Sequence, residues 1–404
     1  MRKSLLWISV LAISISIVLS FSFAGCKAPA KEAAPAKEEV EEVAEEAPAE
    51  EVSEEIGGTL SILCFQGYAE DDWVKPFEEK YNCKVEVTYV GTVEECFAKT
   101  KAAPDQYNIV SNDSGRVEMY YDAEIIQAID TSKLENYGKM GEFFRTHPYA
   151  EMEEGKKFHV PICWGGQAFA VNVGALGDQL APYISETGGV ETLSYDVLKA
   201  PEFKNKVSIS DEATNVTNMS AINAGYAPPF NLDEEGYAAM IEELTAWAEN
   251  CRTFTAGLDS VVSTLANEDS YINLVWGDPI TLMQFEDMGI GDEFAAFLPT
   301  EGTICWIDGW VITKPTEGAS LDLALKYIDY MIGDDGQAKL ANLIGYGIIN
   351  SAGSEAYPEI VFEKTPWYAN PIEDFPVPLY VMVTEEDPEG RVNTWNDIKA
   401  SLGF

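Results

Sequence analysis

Beyond residue 57 short apolar runs alternate with stretches of helical period, and no other feature of the chain limits its fold as much. Residues 60–65 form a continuous apolar run. Trp73, Val74, Phe77 and Tyr81 then recur at helical spacing, and Val85, Val87 and Tyr89 alternate with polar neighbours. Thr92-Val93-Glu94-Glu95 has the form of a capping box and opens a further helix. Strands are expected at 107–110 and 125–129, with a short helix around Met119 between them. Parallel neighbours need helical crossovers, so this segment reads as a doubly wound α/β lobe. A second such stretch comes next, with strands at 158–162 and 168–173 separated by a break at Gly165-Gly166, and another at 207–209. An amphipathic helix over 233–250, strands at 271–275, 294–298 and 304–313, and a helix over 320–332 complete it. The expected architecture is two doubly wound α/β lobes joined by hinge strands, 57–165 with 308–346 and 166–307 with 347–404. Such a pair favours a ligand cleft between the lobes, near the carboxyl ends of parallel strands.

The first 26 residues put this body outside the cytoplasm. Arg2 and Lys3 precede an apolar run over 5–19, and Ser22-Phe23-Ala24-Gly25 leads into Cys26. That is the layout of a secretory signal, 1–25, ending at a lipid-modified cysteine. Acylation there contributes about 0.8 kcal/mol of membrane attachment per buried CH2. The alternative is an uncleaved anchor helix, since 5–23 approaches the roughly 20 residues that a bilayer needs. Both leave the body tethered in the cell envelope, on the outer side of the cytoplasmic membrane. Residues 26–56 are built mostly from Ala, Pro, Glu, Lys and Val, too polar to bury a face, and read as an acidic tether. Fully extended, it reaches roughly 100 Å.

Against 26 Lys and Arg the chain carries 68 Asp and Glu, a formal charge of −42. This balance opposes nucleic acid as a partner, because that binding depends on Lys and Arg releasing counterions. It suits a cationic ligand. Six cysteines besides Cys26 (Cys64, Cys83, Cys96, Cys163, Cys251 and Cys305) show no CxxC or Cys/His spacing, so no metal is implied. They are expected as mostly buried thiols that pack as small hydrophobes. His147 and His159, the only histidines, belong to no HExxH, GxSxG or cysteine-paired signature, and both read as packing residues. No activated nucleophile and no phosphate-cradling loop is found, and neither an enzyme nor a cofactor is expected.

Aromatic residues beside carboxylates at strand ends carry the functional signal. Trp276-Gly277-Asp278 comes directly after an expected strand, and Trp306-Ile307-Asp308 lies inside one, where residues i and i+2 share a face. A ring face attracts a cation by roughly 0.5 to 2 kcal/mol, and a carboxylate adds a charge-assisted hydrogen bond. The competing reading makes each tryptophan a core residue and each acid a loop cap.

Several segments occur in a telling order: Tyr107-Asn108-Ile109-Val110 with 125–130, Val160-Pro161-Ile162-Cys163-Trp164-Gly165-Gly166 with Ala170-Val171-Asn172, and 198–206 with Ser210-Asp211-Glu212-Ala213. Residues 302–308 and Ile344-Gly345-Tyr346 with Asn350 complete the series. Over about 60–351 the chain in this way resembles the polyamine-binding proteins of bacterial ABC importers, of the spermidine/putrescine type. The resemblance implies a type II periplasmic-binding-protein fold. It also implies ligand roles for Phe65 and Tyr68 on the first-lobe wall, for Trp276 and Trp306 around a methylene chain, for Asp308 and Asp278 as acids, and for Tyr346 at the cleft. Glu212 matches a carboxylate position, Asn215 replaces a glutamate of the spermidine binders, and Asn112-Asp113-Ser114-Gly115 replaces a tyrosine pair, with Asp113 as a substitute anion. The chain is accordingly expected to be a monomeric, lipid-anchored solute-binding protein that gives a linear cationic amine to an ABC permease. Another solute, such as an amino-acid-like amine, a sugar or an iron chelate, is the alternative within the fold, a surface hydrolase is one from another class, and a purely sensory partner of a membrane receptor would share the same binding chemistry.

Overall fold

The computed structural model describes residues 56–404; the expected secretory signal, Cys26 and nearly all of the expected tether lie outside the described residues. Strands β1 (Thr59–Cys64), β2 (Lys84–Tyr89), β3 (Ile109–Asp113), β4 (Ile126–Gln127) and β5 (Val160–Gly166) build a first sheet. The chain then crosses to a second, made of β6 (Ala168–Asn172), β7 (Ile184–Thr187), β8 (Val190–Leu193), β9 (Val207–Ser210), β10 (Cys251–Thr255), β11 (Ile272–Val275) and β12 (Phe294–Pro299). It returns to the first with β13 (Thr303–Thr313), β14 (Gly347–Ile348) and β15 (Leu379–Val381). Helices α1 (Asp71–Tyr81), α2 (Val93–Ala102), α3 (Val117–Asp122) and α4 (Glu142–Thr146) accompany the first sheet's opening strands. Then come α5 (Val173–Leu176), α6 (Ala213–Asn223), α7 (Glu234–Asn250), α8 (Leu258–Ala266) and α9 (Asp278–Asp287), and after them α10 (Gly318–Ile332), α11 (Asp334–Ile344), α12 (Glu359–Lys364) and α13 (Pro388–Leu402).

The sequence dictates these elements locally. Thr92 caps α2 through the Glu95 amide at 3.2 Å, while the Glu95 carboxylate reaches back to the Gly91 amide, one residue beyond the usual box. Asp233 caps α7 in the same way through Gly236, and this helix buries Met240, Leu244, Trp247 and Ala248. Each large apolar side chain buried this way contributes about 1.5–3 kcal/mol. In the first sheet β1 runs parallel to β2 and β3, and in the second β9 runs parallel to β10 and β11. Their carboxyl ends point to one gap. The long strand β13 is antiparallel to both β3 and β5, and all eleven of its residues are buried.

Two expectations need correction. Gly165 and Gly166 do not break the chain but lie inside β5, with Gly165 paired to Trp306 of β13. The glycine is there because the indole lies across its backbone: a Cβ on Gly165 would stand 2.2 Å from Trp306 Cζ2. The tail, assigned whole to the second lobe, is divided. β14 pairs with β5 and β15 with β13, whereas α13 packs on α6 and α7. Strands of two or three residues carry too little periodicity to be read.

The histidines pack. His159 is buried and donates from Nε2 to the Asn112 carbonyl at 2.9 Å, and burial lowers its pKa to about 4, so the ring is neutral. The half-buried His147 accepts from the Tyr149 amide through Nδ1. The six described cysteines are free, and all but Cys83 are buried. Among the described residues no helix is long and apolar enough to cross a membrane.

Gly165→Ala should force Trp306 off its seat and destabilise the protein by about 1–3 kcal/mol in urea unfolding. A variant as stable as its parent would show that the ring is not fixed by this glycine.

Candidate functional site

Residues from both lobes enclose a cavity of about 430 Å3. Phe65 and Tyr68 lie just beyond β1, Asp113 ends β3, Trp306 and Asp308 stand on β13, and Tyr346 lies between α11 and β14. Opposite them Glu212 and Asn215 sit at the start of α6, and Trp276 fills the turn between β11 and α9. Of the site residues expected from the sequence these nine line one cavity. Asp278 does not. It opens α9 as a fully buried residue whose Oδ1 accepts from the Tyr368 hydroxyl at 2.9 Å, and burial raises its carboxyl to about 7. Tyr368 also contacts the backbone of Gly166, so Asp278 supports the crossing between the sheets and not the cavity wall.

At the centre Asp113 and Asp308 face each other across β3 and β13. Like charges in opposed positions destabilise a sheet, and here both residues are buried. Tyr68 donates its hydroxyl to Asp308 Oδ2 at 2.7 Å, and the Gly115 amide donates to Asp113 Oδ1 at 2.8 Å. Asp113 Oδ2 and the Trp306 Nε1–H have no protein partner. Burial lifts Asp308 from 3.8 to about 8, the charge of Asp113 adds to the rise, and Tyr68 opposes it. Burial likewise lifts Asp113 to about 6, against the pull of Arg116 and the Gly115 amide. Glu212, which accepts from Asn215 Nδ2, rises to about 8, chiefly through burial and then through Glu94 and Asp113. Buried carboxyl groups with orphaned acceptors are costly unless a cation arrives to pair with them.

Rings define the remaining wall. Trp306 and Tyr346 meet edge to face at 4.8 Å between centroids, and Phe65 and Tyr68 at 6.4 Å. Trp276 is partly exposed on the opposite side. An apolar channel between aromatic faces, with acids at its centre, fits a slim chain bearing positive nitrogen.

Sequence reasoning missed Arg116, Glu94 and Thr214, which also line the cavity. Arg116 is buried and pairs with Glu385 at 3.2 Å and Glu94 at 3.4 Å. Its partners lie far along the chain from it, and no local pattern announces them.

The sequence profile of the family described as bacterial extracellular solute-binding protein matches residues 72–369. The spermidine/putrescine-binding periplasmic protein of Salmonella typhimurium is 25% identical over 309 residues, covering 76% of this chain and 82% of that protein. The putrescine-binding periplasmic protein PotF of Escherichia coli is 22% identical over 352 residues, with 85% and 91% covered. Among solved structures, the Tp0655 (TpPotD) lipoprotein of Treponema pallidum matches with a TM-score of 0.68 at 18% identity, over 84% of this chain and 99% of that one. The two-lobed architecture expected from the sequence is the fold these structures share.

The buried acids also set the response to pH. A carboxyl raised by folding binds a proton more tightly in the folded chain than in the unfolded one, so its stabilising contribution is present below its ordinary pKa and lost as pH rises through the folded value. For Asp308 that window runs from 3.8 to about 8. The stability of the ligand-free parent relative to Asp308→Asn should therefore fall by at least about 2 kcal/mol across it. Urea midpoints whose difference stays constant from pH 4 to 8 would contradict the raised carboxyl.

Proposed function

Because the chain belongs to the bacterial extracellular solute-binding proteins, we propose that it captures a linear cationic amine of the putrescine or spermidine kind between its lobes and gives it to the permease of an ABC importer. It is a binding component of a transporter and not an enzyme. The opposed pair Asp113 and Asp308, set among Trp306, Tyr346 and Phe65, carries the amine reading. An ammonium between the two acids would take up the free Asp113 oxygen and offset the burial and the Asp113 charge that raise Asp308. The ring faces would hold the methylene chain, and the names of the Salmonella and Escherichia relatives support the same ligand class. A ligand touching both lobes favours the closed arrangement by its differential affinity, and closure presents one defined surface to the permease.

Cys26 is the residue we assign to lipid attachment, on the small residues before it and the apolar run behind them. The acidic stretch beyond it would let the body leave the membrane surface and return.

Putrescine at one hundred times its dissociation constant should stabilise the purified protein by about 2.7 kcal/mol in a thermal-shift series, while glutamate, glucose and a ferric chelate leave it unmoved. Asp308→Asn should bind the diamine at least tenfold more weakly, on the order of 1.4 kcal/mol or more, by losing a paired buried charge. No shift with any diamine or polyamine would remove the amine assignment.

A further inference from the structure

Six carboxylates line the cavity, those of Glu70, Asp72, Glu94, Asp113, Glu212 and Asp308, and among the described residues one base stands with them, Arg116. Its side chain is only 6% exposed. The guanidinium pairs with Glu385 and Glu94 and donates to the Thr214 hydroxyl, so it reaches from the first lobe to the start of α6 in the second. Arg116 lies one turn beyond Asp113, its amide donating to the Asp113 carbonyl at 3.1 Å, and its Thr214 contact is two residues from Glu212, whereas Asp308 stands on β13 opposite Asp113. The cavity thus runs from Asp308, through Asp113, to an end that already holds a cation.

Each acid at that end already has a partner. Glu385 accepts from Arg116 on one oxygen and from Asn218 at 2.9 Å on the other, Glu94 pairs with Arg116, and Glu212 accepts from Asn215. An ammonium arriving there would meet the guanidinium, whose ion pairs with Glu385 and Glu94 already use the counter-charges of those two acids. An opposing like charge is an effective way to reject one ligand while accepting another.

Resting on the amine reading above, we propose that Arg116 determines specificity: the protein's own guanidinium holds the place that a third ammonium would need, so the cleft prefers amines with two charged nitrogens to those with three. Neutral Asn215 at the same end supplies no anion that would reverse this preference. Arg116 in this role is a resident member of the ligand's charge pattern, with Glu385 holding it in position.

Calorimetric titration of putrescine and spermidine into the full-length protein tests this. The parent should bind the diamine at least about tenfold more tightly than the triamine, and Arg116→Gln should reduce that ratio by about tenfold or more. Arg116→Gln together with Glu385→Gln removes the buried pair as a unit and serves if the single variant does not fold. Arg116→Lys retains the charge and should retain the preference. An unchanged ratio in the Arg116→Gln variants, or a parent that prefers the triamine, would overturn the inference alone. A parent that binds neither amine would overturn the amine reading and this inference with it.

Discussion

Two carboxylates set opposite each other on neighbouring antiparallel strands are the constraint on which the rest of this molecule depends. Asp113 and Asp308 occupy paired positions of β3 and β13, both out of solvent, in a sheet that would be more stable with almost any other pair there. Around them the chain arranges partial relief: the Tyr68 hydroxyl on Asp308, the Gly115 amide on Asp113, and the Arg116 charge beyond. None of these completes the pairing, since Asp113 Oδ2 has no protein partner. A positive charge between the acids would.

Strand β13, with β5 beside it, ties this charge centre to the connection between the lobes. β13 comes after one crossing and carries Trp306 and Asp308, while β5 precedes the other and carries Gly165 beneath the Trp306 ring. Tyr368, from the divided tail, contacts Gly166 and Asp278 at once, so the start of α9 in the second lobe is fixed to the same crossing. A cation drawn to Asp308 therefore acts at the place where the lobes turn, and Arg116 on Thr214 joins the two lobes directly.

How much of this was legible depends on the range over which each residue's role is decided. Trp306 and Asp308 were readable because strand alternation alone puts them on one face, and the alternation of strand and helix gave the lobes. Gly165-Gly166 misled because a glycine pair usually ends a strand, and its real cause is a ring from a residue about 140 positions later in the chain. Asp278 misled for a similar reason. It stands two residues from a cavity tryptophan, yet the first turn of α9 directs its carboxyl to Tyr368, 90 residues on. Arg116 left no local trace, since its ion pair with Glu385 spans 269 residues. Patterns of period 2 or 3.6 report which face a side chain takes, and not which distant element that face will meet.

The central claim, that Asp308 opposite a charged Asp113 is held protonated until a cation pairs with it, can be measured by titrating putrescine calorimetrically at pH 7 in buffers of different ionisation enthalpy. Asp308 sits near pKa 8 without ligand, so it must ionise to pair with an ammonium. Release of about one proton or more per diamine bound, with affinity rising between pH 6 and 8, is the expected result. Tight binding with no proton released and no dependence on pH would contradict it.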